Sequence, residues 1–201
     1  MPVSAIVRTL GWLVCVAYSM VPPFWLLIHS RAEYWRARRG SPYLVLLPIS
    51  MAIWAVVALS SAPWRRLALY QNVWTWVPAL GLFALGIWLY ARSGASFSVK
   101  QLSGIPEMRA GRAEQRLVTS GIRARVRHPV YLAHLCEMLA WSVGTGLAVC
   151  YGLTLFTVIT GAFMIRAEDA ELERRFGEEY REYRARVPAV FPRLTRGVRG
   201  A

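Results

Sequence analysis

The chain reads as an all-α polytopic membrane protein with about five transmembrane helices, a C-terminal helical hairpin and a cytosolic amphipathic helix. Three observations predict this. Its 201 residues are 56% hydrophobic and still carry a formal net charge of +13. Apolar and charged residues are segregated in blocks along the chain, whereas a soluble domain would interleave them. The arginines gather in a few of the segments that separate the apolar blocks.

Spans are expected near Val7–Ile28, Tyr43–Ser61, Val73–Ala91, Val130–Gly144 and Gly146–Ile165. The first has no small-residue cleavage site after it, so it reads as a span rather than a removed signal peptide. The last two meet at Gly144–Thr145–Gly146, a turn short enough to force a tight hairpin. Both are short for a hydrocarbon core of roughly 30 Å, which needs about 20 helical residues. With the amino terminus outside, 21 positive residues fall on the inner side and only Arg8, Arg65 and Arg66 on the outer. The positive-inside rule therefore puts the loop from Arg92 to Arg127 and the tail from Arg166 together in the cytoplasm.

Within that tail, Leu172, Phe176, Tyr180, Tyr183 and Val187 recur at helical spacing, with Glu and Arg on the opposite face. Pro188 and Pro192 then stop the helix. Such a helix would cap the cytoplasmic end of the hairpin. The segment between Gly94 and Gly121 has little periodicity and is long enough to be a lid or binding segment. One domain is expected, joining a three-span region (1–91) to a C-terminal core of loop, hairpin and tail (92–201).

Composition also narrows the function classes. Arginines supply all but one of the 24 basic residues, a hint of a GC-rich bacterial genome and hence of an inner-membrane protein. They flank spans and do not form one reading face, so anionic lipid head groups are the expected partners and nucleic acid is not. Cys15, Cys136 and Cys150 lie in apolar runs without disulfide or metal-ligand spacing, and no metal is expected.

Candidate chemistry concentrates where the last two spans meet the basic segments. Pro129 suits the first turn of a helix, which places His128 and Tyr131 at the rim of the fourth span. Arg166, Glu168 and Asp169 sit at the matching end of the fifth. A tight hairpin returns these ends to each other, bringing together a histidine, a tyrosine hydroxyl, a guanidinium and two carboxylates. Taken singly, His128 suits a helix-start hydrogen bond, Tyr131 an interfacial anchor, and Glu168 and Asp169 a solvated helix face. Ionisable groups at this depth are costly unless paired or ligand-binding. His134 and Glu137, three residues apart in the fourth span, read either as a packing pair or as the lining of a substrate path.

From Gly94 onward the chain resembles the isoprenylcysteine carboxyl methyltransferase and phospholipid methyltransferase family. The resemblance is carried by Ala95–Ser96–Phe97–Ser98, Leu117–Val118–Thr119–Ser120–Gly121 and Arg127–His128–Pro129–Val130–Tyr131. It continues through Glu168–Asp169, Leu172, Phe176–Gly177–Glu178–Glu179–Tyr180, Tyr183, Val187–Pro188 and Pro192, about half the chain in order. It implies an integral membrane enzyme that uses S-adenosylmethionine without a Rossmann domain, and no G-x-G-x-x-G follows a strand pattern here. By position, Gln115, Leu117, Val118, His128, Pro129, Val130 and Tyr131 would line the cofactor pocket, and Glu168 would hold the methionine ammonium. His128 and Arg166 would be the catalytic candidates, with His134, Glu137 and Met164 along the path of a lipophilic substrate.

Three positions depart from the family pattern. Arg123 stands where relatives commonly have tyrosine, and Gln115 where prenylcysteine enzymes have histidine. Met164 occupies the place of a substrate-contacting arginine, for which Arg166 is the nearest replacement. The favoured acceptor is the carboxylate of an isoprenylcysteine-like molecule. Two other readings stay open. Membrane sterol reductases also carry Arg-His-Pro-x-Tyr and bind NADPH, although here Val130 replaces their usual asparagine. A catalytically silent scaffold would keep the fold alone.

Overall fold

The computed structural model describes residues 5–37, 43–94 and 116–192. It is helical throughout, apart from turns and one isolated antiparallel bridge between Ala68 and Leu147. The helices are α1 (Ala5–Ser19), α2 (Val21–His29), α3 (Ala32–Ala37), α4 (Tyr43–Ser61), α5 (Trp76–Gly94), α6 (Pro129–Thr145), α7 (Ala148–Phe176) and α8 (Glu178–Arg186).

Among the described residues, four stretches are long and apolar enough to cross a membrane: Ala5–His29, Tyr43–Arg66, Val73–Gly94 and Ala148–Phe176. The expected fourth span, α6, differs. It has 17 residues, about 25 Å of helix, and eleven of them are buried. By contrast only Leu46 and Ser61 are buried in α4. So α6 is the interior post of the bundle, packed on α1, α5 and α7, while α4 shows most of its surface outward.

Two boundaries shift for local reasons. The first span is not continuous, because the chain breaks at Met20 and restarts as α2 with Pro in its first turn. The fifth runs on to Phe176, making 29 residues or about 44 Å, so its final turns extend beyond a hydrocarbon core of roughly 30 Å. The tail stripe is therefore divided. Leu172 and Phe176 end α7, the chain turns at Gly177, and Tyr180 and Tyr183 open on α8, packing with Val187 and Leu117.

The hairpin turn falls at Gly146–Leu147. Gly146 has φ +66°, a left-handed conformation that terminates α6 without a Cβ penalty. The segment after α4 clamps this turn, as Leu69 N–H donates to Gly146 O at 2.8 Å and Ala148 N–H to Leu67 O at 3.0 Å. Farther along, α6 and α7 touch at Tyr131, whose hydroxyl donates to Thr157 O at 2.6 Å. A Cβ on Gly161 would overlap that hydroxyl.

Gly161→Ala should therefore lower stability by about 1–3 kcal/mol, the usual effect of overpacking. Gly81→Ala, on α5 with open space around it, should be neutral or stabilising by up to ~1 kcal/mol through helix propensity. Thermal unfolding of the detergent-purified variants would separate the two, and equal behaviour would contradict the close Tyr131–Gly161 packing.

Candidate functional site

Three segments converge beyond the hairpin's open end. The first is Arg116–Val118 with the turn Gly121–Ala124, the second is the start of α6, and the third is the end of α7 with α8. Backbone bonds fasten them, since Arg127 N–H donates to Pro188 O and His128 N–H to Ala189 O, both at 2.9 Å.

At the junction lies Asp169, its side chain only 7% exposed. Arg127 Nη2 donates to Asp169 Oδ2 at 2.7 Å, and His128 Nε2 bonds Asp169 Oδ1 at 3.1 Å. The Tyr180 hydroxyl donates to the same Oδ1. The other ring nitrogen of His128, Nδ1, stands 3.1 Å from Glu168 Oε2. One imidazole thus bridges two adjacent carboxylates. Burial acts to discharge the ring, but Glu168 and Asp169 outweigh it and raise the His128 pKa to about 9. At neutral pH His128 is an imidazolium with both N–H groups committed. Burial and then the Asp169 carboxylate push the Tyr180 phenol far above its ordinary range, so it remains a donor.

A cavity of about 460 Å³ opens beside this network. Of the residues singled out from sequence, Leu117, Val118, His128, Pro129, Val130, Tyr131, His134, Met164 and Glu168 line it. Glu168 offers the cavity a carboxylate with a 26% exposed side chain. Gln115 lies outside the described residues.

Two candidates are placed elsewhere. Arg166 is exposed and does not line the cavity, because two residues along α7 turn it about 200° away from Glu168. The guanidinium that joins the cluster is Arg127. Glu137 is three residues from His134 but faces α5, where a Cβ on Gly86 would lie 2.7 Å from its Oε1. His134 instead bonds Val130 O through Nδ1 at 2.8 Å, with Tyr18 and Tyr90 edge-on to its ring.

Sequence reasoning did not pick out the wall supplied by α2. Val21, Trp25 and His29, four residues apart, line the cavity with one face, and Trp25 stacks on His29 at 5.5 Å between ring centroids. That spacing is visible in the sequence, but it equally describes a packing face. Arg116, Arg123, Arg175, Tyr180 and Tyr183 also line the cavity. Below the α2 wall, buried Glu171 pairs with Arg36 of α3 and lies 3.6 Å from Arg175 Nη1, tying α3 to α7. Among the described residues no cluster suited to a metal ion occurs.

The His128 bridge sets a pH dependence. Its pKa is higher folded (about 9) than unfolded (about 6.5), so its contribution is complete below about pH 6.5 and lost as pH rises through 9. The loss amounts to about 3 kcal/mol. Thermal stability should fall across this window in the native chain and stay flat in His128→Asn. An unchanged slope in the variant would contradict the double carboxylate pairing.

The chain is similar to protein-S-isoprenylcysteine O-methyltransferase of Homo sapiens, at 31% identity over 150 residues, covering 69% of this chain and 51% of that protein. The protein of the same name from Schizosaccharomyces pombe is 33% identical over 119 residues, 57% of this chain and 48% of the relative. Cobalt-zinc-cadmium resistance protein CzcN of Cupriavidus metallidurans is 40% identical over 87 residues, 43% of this chain and 40% of the relative. The chain spans about half the length of the isoprenylcysteine relatives it matches. No protein-family model matches it. No solved structure matches it either.

Proposed function

We propose the following reading for this chain, which belongs to the isoprenylcysteine carboxyl methyltransferase family. It transfers a methyl group from S-adenosylmethionine to a lipophilic acceptor, favouring the carboxylate of an isoprenylcysteine-like molecule. It works at the cytosolic face of a bacterial inner membrane, with residues 1–91 and 92–201 acting as one unit. The observation that carries this reading is a single cavity shared by Leu117, Val118, His128–Tyr131 and Glu168. The names of the relatives supply the reaction class.

The donor set suits such a cofactor. Glu168 spends one oxygen on His128, and its remaining lone pairs can accept from a methionine ammonium. Val130 and Tyr131 lie in the first turn of α6, where backbone N–H groups have no helical acceptor and can receive a carboxylate. Arg116 and Arg123 add positive charge, while Leu117, Val118, Leu172 and Phe176 offer apolar surface for an adenine. When bound, the cofactor supplies a methyl carbon already activated by its sulfonium.

The chain's own residues then have to align and exclude. A carboxylate acceptor is ionised at neutral pH, so its attack needs no base. This agrees with the state of His128, which holds its proton to about pH 9 between two carboxylates and has no lone pair to offer. His128 is a positioning residue that orients Glu168. Tyr180 and Tyr183 of α8 close the polar end, while Trp25 and Met164 keep the acceptor's side apolar and dry.

Calorimetric titration of the detergent-purified protein with S-adenosylhomocysteine, and in parallel with NADPH, tests the reading. S-Adenosylhomocysteine alone should bind. Glu168→Ala should weaken it about 10- to 100-fold, as expected for a lost charged hydrogen bond, while the protein stays folded. Unchanged affinity in that variant removes the role of Glu168. Binding of NADPH alone would move the chain to the reductases.

A further inference from the structure

A second cavity lies at the opposite end of the bundle. From Gly152, beside it, to Glu168 is sixteen residues of α7, about 24 Å. It is an open groove of about 400 Å³ between the end of α4, the turn Ala62–Arg66 and the start of α7. Its walls include Val57, Ser61, Trp64, Val149, Leu153 and Phe156. Gly152 leaves room along it, since nothing lies within 4 Å of a Cβ placed there.

Three arginines belong to this end, and their surroundings are unusual. Arg65 and Arg66 directly follow the groove residue Trp64 and are exposed. Arg65 lies 5.5 Å over the ring of Trp12, and Trp12 Nε1 donates to the groove residue Ser61 Oγ at 3.0 Å. Arg8 precedes Trp12 by one turn of α1, and its Nε and Nη2 are buried with no hydrogen-bond partner among the described residues. No Asp or Glu occurs in residues 1–32, 43–94 or 138–167, so the segments that build this end contain no carboxylate. Guanidinium nitrogens taken out of water without an acceptor are costly. The described residues at this end therefore offer these arginines no carboxylate partner.

We propose that this end of the bundle binds one anionic phospholipid, with an acyl chain in the groove and its phosphate held by Arg8, Arg65 and Arg66. The chemistry is matched on both sides. Guanidinium groups bind phosphate oxygens through paired N–H donors. Trp64, 61% exposed at the groove's rim, suits the depth of lipid head groups. The apolar groove supplies burial that a free phosphate ion could not use. This site is independent of the methyltransferase reading, because it lies about 24 Å along α7 from the other cavity.

Native mass spectrometry and thermal unfolding of the detergent-purified chain would test it, with dioleoylphosphatidylglycerol, dioleoylphosphatidylcholine and inorganic phosphate as probes. One phosphatidylglycerol per chain should be retained about tenfold more tightly than phosphatidylcholine and should raise the melting temperature. Arg8→Gln and Arg65→Gln should each cut that preference severalfold, and Gly152→Phe should weaken both lipids by filling the groove. Arg65 is exposed, so its variant remains informative even if Arg8→Gln misfolds. Equal retention of the two lipids would overturn the proposal. So would a preference that survives loss of all three arginines, indifference to Gly152→Phe, or stabilisation by phosphate alone.

Discussion

Asp169 is the constraint on which the rest of the site depends. It is a buried carboxylate on α7, and its three hydrogen-bond partners come from elsewhere in the chain: Arg127 and His128 from the approach to α6, and Tyr180 from α8. An ion sequestered from water is tolerable only when its lone pairs are filled by donors of good geometry. Satisfying Asp169 therefore fixes where α6 begins and where the tail returns. With both fixed, His128 is left pointing its second nitrogen at Glu168, and the cavity acquires its polar end.

The same network separates rigid from reactive groups. Arg127 donates to Arg184 O and Val187 O as well as to Asp169, so its charge is spent internally. Glu168, one residue before Asp169, keeps an open side toward the cavity. Adjacent residues on a helix are about 100° apart, which is why one carboxylate can brace the scaffold while its neighbour meets a ligand. The imidazolium between them couples the two roles electrostatically.

Polar groups are distributed along the bundle by what can neutralise them. At the Asp169 end the charges compensate one another within the protein, Asp169 with Arg127, Glu171 with Arg36 and Arg175, and Glu168 with the His128 imidazolium. At the groove end the described residues include arginines and no carboxylates. Between them lies the apolar packing of Trp12, Cys15, Val16, Met138 and Leu153, with Glu137, Ser142 and Thr154 as buried polar groups beside it. Cys15 and Cys150 take part in that packing as free thiols, and Cys136 in the neighbouring cluster with Leu89 and Ala133.

Local pattern in the sequence was enough to determine the helical class, the approximate spans, the tight hairpin and the apolar stripe of the tail, because these follow from hydrophobic blocks, periodicity and turn residues acting over a few positions. Helix-end placement singled out His128, Tyr131 and Glu168, and the family resemblance added residues 117–118 and 129–130, all of which the fold gathers around one cavity. Only the tertiary structure decided that α6 is interior, since burial depends on neighbours and not on a helix's own composition. It likewise decided that Arg127 and not Arg166 joins the carboxylates, because helical phase and the return path of the tail set which guanidinium arrives. The α2 wall of Val21, Trp25 and His29 belonged to this second class too. Its spacing marks a face, but what a face meets is a long-range fact, settled when α2 docks on α7.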